Sequence, residues 1–344
     1  MPEPLVTLTN DGLYCEAGGF HIDPWNPVPY SVITHAHGDH LCAGCEHYLV
    51  TRDSFQIFRV RMGDVAVAGL SYGERFERNG VHLSLHPAGH ILGSAQVRLE
   101  YRGEVWVVSG DYKLADDPTC APFEPVRCHT LITESTFGLP IYRWNSSVEL
   151  FASINAWWRS NQAAGKTSLL FGHTLGKAQR LLAGIDSSIG PIFTHGAVER
   201  MTQAYRESNI VLPATQRVSE AVITRGKEKP WSGGLVIAPT WATSPAWLRR
   251  FEPYSDAIAS GWMQIRGTRR RKAVDRGFPI SDHADWPGLL TAINESGASR
   301  ILATHGFAPV LARYCREMGL DGDVIVTRFG DEETNAEPDS EAEL

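Results

Sequence analysis

At Val32-Ile33-Thr34 a short apolar run opens into three imidazoles and a carboxylate: His35, His37, Asp39 and His40. Such a run, closed by a loop, predicts a buried strand whose C-terminal end presents ligands. His35 and His37 are two apart, so a plain strand puts them on one face. Gly38 lets Asp39 and His40 turn toward a second point. Neutral imidazole and carboxylate suit zinc or another borderline divalent ion, and the run holds too many donors for one. Two adjacent cations are expected.

Further along, other strand-like runs also stop at polar residues. Residues 81–85 lead to His86 and His90, residues 105–108 to Asp111, and residues 130–133 to Glu134. Rigid strand ends are where sheet enzymes place their chemistry. His90 and Asp111 complete the donor set that the first run lacks, and a carboxylate such as Asp111 can bridge two cations. His86 reads as a packing or supporting residue. From about 140 to 265 the pattern changes to alternating helices (144–160 and up to about 182) and strands (165–171, 191–194, 235–238, 257–260), which predicts a small parallel sheet flanked by helices. It interrupts the first pattern, because His283, the strand 300–303, His305 and a last strand at 324–327 follow it.

The formal charge of −7 is uneven. Residues 331–344 hold seven acids and no base; without them 32 acids face 32 bases, so the body is neutral and overall charge does not exclude a nucleic-acid substrate. The tail reads as disordered and solvated. No apolar run reaches membrane-spanning length, and Met1-Pro2-Glu3-Pro4 lacks a signal peptide's basic and apolar regions, so a cytoplasmic protein is expected. Six scattered cysteines are expected to be free thiols, Cys42-x-x-Cys45 lacking the second pair that a zinc site would want.

The run His35 to His40 is an H-x-H-x-D-H signature and resembles that of the metallo-β-lactamase-fold hydrolases. A-G-H-x-x-G-S around His90 and S-G-D around Asp111 match that superfamily's third and fourth motifs in order. Glu134 in I-T-E-S-T-F-G, His283 in S-D-H-A-D and His305 in T-H-G resemble the three added motifs of the β-CASP branch, nucleases with a cap inserted into that fold. The words G-L-Y-C-E-A-G-G-F, E-V-W-V-V-S-G-D-Y-K and S-G-W-M-Q-I-R-G-T-R-R-R are similar to those of the bacterial ligase-associated DNA exonucleases, relatives of the Artemis and Apollo nucleases.

The resemblance implies an α/β fold: a metallo-β-lactamase αββα sandwich (residues 1–139 and 266–330), a β-CASP-like α/β cap (140–265) and the acidic tail (331–344). It assigns His35, His37, His90 and Asp111 to one divalent ion and Asp39, His40, His305 and the shared Asp111 to the other, with Zn²⁺ and Mn²⁺ both fitting. Asp39, Glu134 and His283 become catalytic, His283 as general acid oriented by Glu134. The function implied is a DNA phosphodiesterase of DNA repair, an exonuclease on single strands with endonuclease activity open, functionally associated with an ATP-dependent ligase and a helicase. An RNA-processing nuclease is the alternative, because a His at the position of His305 goes with RNA-processing members. A small-molecule metallo-hydrolase and a metal-free scaffold rank lower.

Substrate binding needs positive charge. Arg266, Arg269, Arg270 and Arg271, with Arg276 behind them, read either as a solvated face or as a phosphate-tracking groove. Trp262 reads as core or as a base-stacking ring. His173 and Lys177, in a turn between strand and helix, read as a terminal-phosphate site or as plain packing. Lys113 is a further candidate for backbone contact.

Overall fold

The computed structural model describes residues 4–221, 229–265, 267 and 274–328. These form two compact units, one from residues up to Arg143 together with those from Asp282 onward, the other from Trp144 to Ser281. The second unit runs past the expected 265 because Arg276–Phe278 joins its sheet, parallel to Tyr254–Ala259.

The first unit holds two sheets. One orders Thr7–Thr9, Gly12–Cys15, Phe20–Ile22, Tyr30–Val32, His47–Thr51 and Val67–Leu70; the other orders Asp321–Val324, Arg300–Thr304, Thr130–Glu134, Glu104–Val108, Ala95–Tyr101, Val81–Pro87 and Arg75–Arg78. Alternation along the strands sorts their side chains. Trp106, Val108, Ile132 and Leu302 pack with Leu13, Phe20, Ile22 and Val32 in one core. Val107, Leu131, Ile301 and Ala303 pack with Trp286, Leu289 and Ile293 of the helix Trp286–Ser296 and Leu311 and Cys315 of the helix Ala308–Glu317. Ile33, Tyr48 and Val50 meet Phe58 of the helix Phe55–Met62. The layers therefore run helix, sheet, sheet, helix.

The second unit is a six-stranded parallel sheet in the order Gln216–Arg217, Ile192–Thr194, Leu235–Pro239, Thr167–Gly172, Tyr254–Ala259, Arg276–Phe278. Apolar clusters cover both faces, as a parallel sheet requires. Trp158, Ile154 and Leu181, from the helices Ser147–Ala163 and Lys177–Gly184, lie with Leu170, Leu235 and Ile237; Trp231, Ala242 and Phe251 lie with Leu169, Phe171 and Val236.

One local expectation is corrected, and one element is new. The last strand is Asp321–Val324 rather than 324–327: pairing of residues 321–324 with residues 300–303 fixes the register, although 324–327 is the more β-branched stretch. The helix Gly196–Glu207 has no counterpart in the sequence reading. His195 opens it, and Glu199 in its first turn accepts hydrogen bonds from Thr194 and Thr215 (2.6 and 2.8 Å) and from Arg206 (2.8 Å).

Burial alone would raise the Glu199 pKa, but these donors outweigh it and hold it below the ordinary value. A depressed folded-state pKa contributes stability above the unfolded value of about 4.3 and loses it as pH falls through the folded value. Glu199→Gln is expected to cost about 1–3 kcal/mol at neutral pH. Urea melts at descending pH should show that deficit shrinking in acid; a pH-independent deficit would contradict the charge argument.

Among the described residues no helix is long and apolar enough to cross a membrane. The six cysteines stand outside any disulfide; burial and the adjacent Cys45 push the Cys42 thiol up to about 11.

Candidate metal centre

Five strands of the first unit end at the candidate ligands. Beyond Tyr30–Val32 the amide of Ile33 donates to Leu49 O and Thr34 O accepts from Ala95, which carries His35 to the end of both sheets. The His90 loop is tied by Ser94 Oγ, which accepts from the amides of His90 and Ile91 (3.1 and 3.2 Å). Ahead of Asp111, Gly110 has φ +54°, and a Cβ there would lie 2.7 Å from Thr34 Cβ and Oγ1. A glycine is required for the two strand ends to approach. His305 itself has φ +56°, a sparsely populated conformation for a non-glycine residue, held where Ser135 Oγ meets the carbonyls of Thr304 and His305 (2.8 and 2.5 Å).

Donor atoms converge in three groups, each within 4.8 Å: His35, His37, His90 and Asp111; Asp39, His40 and His305; and Asp111, Glu134 and His283. In the first group His37 Nδ1 lies 3.1 Å from His35 Nε2 and 3.0 Å from His90 Nε2. Nitrogens bound tetrahedrally to one ion stand roughly 3.3 Å apart, so this spacing fits a shared cation. Asp111 Oδ2 lies 3.5 Å from His35 Nε2 and 3.4 Å from His40 Nε2, touching both groups. His40 Nε2 is buried without a hydrogen-bond partner among the described residues, facing Asp111 and Asp39 (3.6 Å). Such an orphaned nitrogen, aimed between two carboxylates, fits a cation ligand.

Outer partners fix which nitrogen faces inward. His90 Nδ1 donates to Asp282 O at 2.8 Å, and His40 Nδ1 meets Asp23 Oδ2 at 2.7 Å. Asp23 in turn accepts from the Thr34 amide (2.8 Å) and hydroxyl (2.6 Å), and that hydroxyl lies 3.1 Å from His35 Nδ1. Thr304 Oγ1 lies 2.9 Å from His305 Nδ1. Sequence reasoning missed Asp23, Thr34 and Thr304. The available signal was an Asp directly before Pro24 on the neighbouring strand's exit.

Burial, aided by neighbouring imidazoles, holds His35 and His90 well below the usual histidine value, in the neutral form that coordinates. At His40 burial acts the same way, but Asp111, Asp39 and Asp23 outweigh it and raise its pKa. The three carboxylates thus attract positive charge at this point. Asp23→Asn is expected to weaken cation binding by about 10–100-fold with the fold intact, measured by competition with a chromophoric chelator; unchanged affinity would make Asp23 purely structural.

His283 and Glu134 form a buried pair, Nδ1 to Oε2 2.9 Å, with His283 Nδ1 also 4.0 Å from Asp111 Oδ2. Glu134 Oε1 accepts from the Tyr112 amide at 2.7 Å, so the carboxylate cannot swing away.

The described substrate-binding candidates fall in both units. Lys113 is buried and paired with Asp117 at 2.6 Å, so its charge is neutralised within the fold rather than presented to a ligand. His173, Lys177, Trp262 and Arg276 belong to the second unit. Lys177 is buried as the first residue of the helix Lys177–Gly184, where the Gly176 amide donates to Gln179 Oε1 (2.8 Å). Trp262 is half-buried, on the turn Gly261–Gln264. Arg276 is exposed, donates to Ser153 Oγ (2.9 Å) and lies over the Phe278 ring. Arg266, Arg269, Arg270 and Arg271 lie outside the described residues.

No family model matches. A protein named probable DNA ligase from Opitutus terrae is 31% identical over 314 residues, 90% of this chain and 30% of that protein. Cleavage and polyadenylation specificity factor subunit 3 of Dictyostelium discoideum is 28% identical over 194 residues, 48% of this chain and 24% of that protein. Endoribonuclease YSH1 of Saccharomyces cerevisiae is 31% identical over 121 residues, 34% of this chain and 15% of that protein. The chain is a relative of nucleases. It spans under a third of the length of each of these relatives. Among solved structures, a protein of unknown function from Enterococcus faecalis V583 shares the fold, with TM-score 0.59 and 11% identity over 87% of this chain and 79% of the other.

Proposed function

We propose that the chain is a metallo-β-lactamase-fold, β-CASP-type phosphodiesterase that uses two divalent cations to hydrolyse single-stranded DNA, as an exonuclease. The observation that carries this reading is Asp111, whose Oδ2 stands 3.5 Å from His35 Nε2 and 3.4 Å from His40 Nε2, one carboxylate common to two donor groups. His35, His37, His90 and Asp111 would hold one cation, Asp39, His40, His305 and Asp111 the other. When bound, such a pair lowers the pKa of water toward neutrality and offsets charge building on a phosphate.

The chain's own residues do the rest. Asp23 and Thr34 keep the Nε2 atoms of His40 and His35 turned inward. His283 provides a proton for the departing sugar oxygen, and the Glu134 carboxylate at 2.9 Å favours the charged imidazole needed for that. Ester or amide cleavage by the small-molecule hydrolases of this fold does not require this pair, which speaks against a small-molecule substrate.

DNA is preferred because the match covering 90% of this chain lies in a protein named as a ligase. We infer a role in DNA repair alongside a ligase and a helicase. RNA is the second reading, favoured by the relatives named endoribonucleases and by His305. The deciding experiment supplies Mn²⁺ or Zn²⁺ to stripped protein with end-labelled, matched DNA and RNA single strands, and Asp39→Ala/His40→Ala as control. Metal-dependent loss of DNA alone is expected. Preferential RNA cleavage would reverse the assignment, and no cleavage of either by metal-loaded protein would remove it.

A further inference from the structure

The chain passes from the second unit to the first between Ser281 and Asp282, directly ahead of His283. Residues 279–285 form neither helix nor strand, yet Ile280, Ser281, Asp282, His283 and Ala284 are all buried. Buried backbone outside a helix or ladder must find its hydrogen bonds elsewhere. Here they are met in succession. The Asp282 carbonyl accepts from His90 Nδ1 at 2.8 Å, and the Ala284 amide donates to Tyr112 O at 2.6 Å. Between them the His283 ring meets Glu134, whose other oxygen accepts from the Tyr112 amide. On the upstream side the Ser281 carbonyl accepts from Arg180 Nη1.

Arg180 lies on the helix Lys177–Gly184 and is 6% exposed. Its helix is a firm base. Ala178, Leu181 and Leu182 share one apolar cluster with Phe278 and Ile280, the residues leading to Ser281. Gln179 accepts from the Gly176 amide (2.8 Å) and donates to Thr174 O (3.0 Å) and Thr202 Oγ1 (3.1 Å), which pins the first turn. Burying a guanidinium is costly, and packing alone would be served by an apolar side chain. What the planar fork supplies is direction, because its N–H groups fix where an acceptor sits.

We propose that Arg180 is a positioning residue for the cleavage step: by holding the Ser281 carbonyl it fixes the run that delivers His283 to Glu134. It acts through the backbone rather than on the substrate. This inference rests on the reading of His283 as proton donor and names what holds that residue in place.

The test uses the full metal-loaded chain with the labelled single strand that the unaltered protein cuts, and with a nucleotide p-nitrophenyl ester, whose leaving group needs no proton. Arg180→Met keeps most of the stem and removes the donors. It is expected to lower kcat on the strand about 10- to 100-fold, with KM, bound metal and ester cleavage nearly unchanged. Arg180→Lys, which keeps a donor on a stem of similar length, should recover part of that loss. In a His283→Ala background Arg180→Met should cost nothing further, since the residue it positions is gone. Should Arg180→Met not fold, the smaller loss expected of Arg180→Lys is put through the same comparisons. Equal losses on both substrates, losses that add in the His283→Ala background, or a parallel fall in bound metal would overturn the proposal and leave the nuclease reading standing. If the unaltered protein cuts no single strand, the nuclease reading fails and takes the role of Arg180 with it.

Discussion

Exchanging Asp111 for Asn is expected to lower single-strand cleavage by about 10³-fold or more, the loss of several kcal/mol of transition-state stabilisation. The amide is nearly isosteric but carries no charge, and the Asp111 carboxylate stands beside both donor groups. Bound metal, read by elemental analysis, should fall in parallel. A second consequence is visible without metal. Burial would raise the Asp111 pKa, but His40 and then His283 outweigh it and hold the carboxylate ionised. Removing one partner of a buried charge group typically costs about 3–5 kcal/mol, so the metal-free variant should also melt earlier. A variant with the full metal complement and near-native cleavage would refute the shared-carboxylate arrangement.

His283→Ala is expected to behave differently: about 10²–10⁴-fold slower turnover, with metal content unchanged. The loss should nearly vanish on a nucleotide p-nitrophenyl ester, whose leaving group departs without a proton. Glu134→Gln should show a smaller effect of the same kind, because the imidazole remains but loses the carboxylate at 2.9 Å that favours its charged form. Equal losses on both substrates would mean that His283 shapes the site rather than donating a proton.

The parts of this centre that could be read from residues alone are those where strand periodicity and ligand chemistry coincide. Runs such as Val32-Ile33-Thr34 before His35, and Arg300–Thr304 before His305, predict a strand end and a donor together. The outer partners were illegible for a topological reason. Asp23 touches His40, and the Asp282 carbonyl touches His90, only because strands distant in the chain end side by side; no periodicity encodes that. Lys113 shows the same limit: a Lys two residues after a ligand suggests a phosphate contact, while in the fold it pairs with Asp117, four residues on. The last strand lies at 321–324 rather than in the more β-branched 324–327 because pairing with Arg300–Thr304 sets its register, which local composition does not encode. The helix Gly196–Glu207 was hidden because its buried stripe contains Glu199 and Thr202, polar residues that partners within the fold satisfy.

The strand Arg300–Thr304 docks beside Thr130–Glu134 only after the whole stretch 144–281 has been made. During synthesis the first unit therefore waits with one flank of Thr130–Glu134 unpaired, a flank open to mispairing with other chains. His283 and His305 arrive with that late segment. A ribosome-bound or truncated chain lacking it has His35, His37, His90 and Asp111 but neither His283 nor His305. On the proposed reading, the order of the elements leaves the nascent chain without a complete centre until its fold is closed.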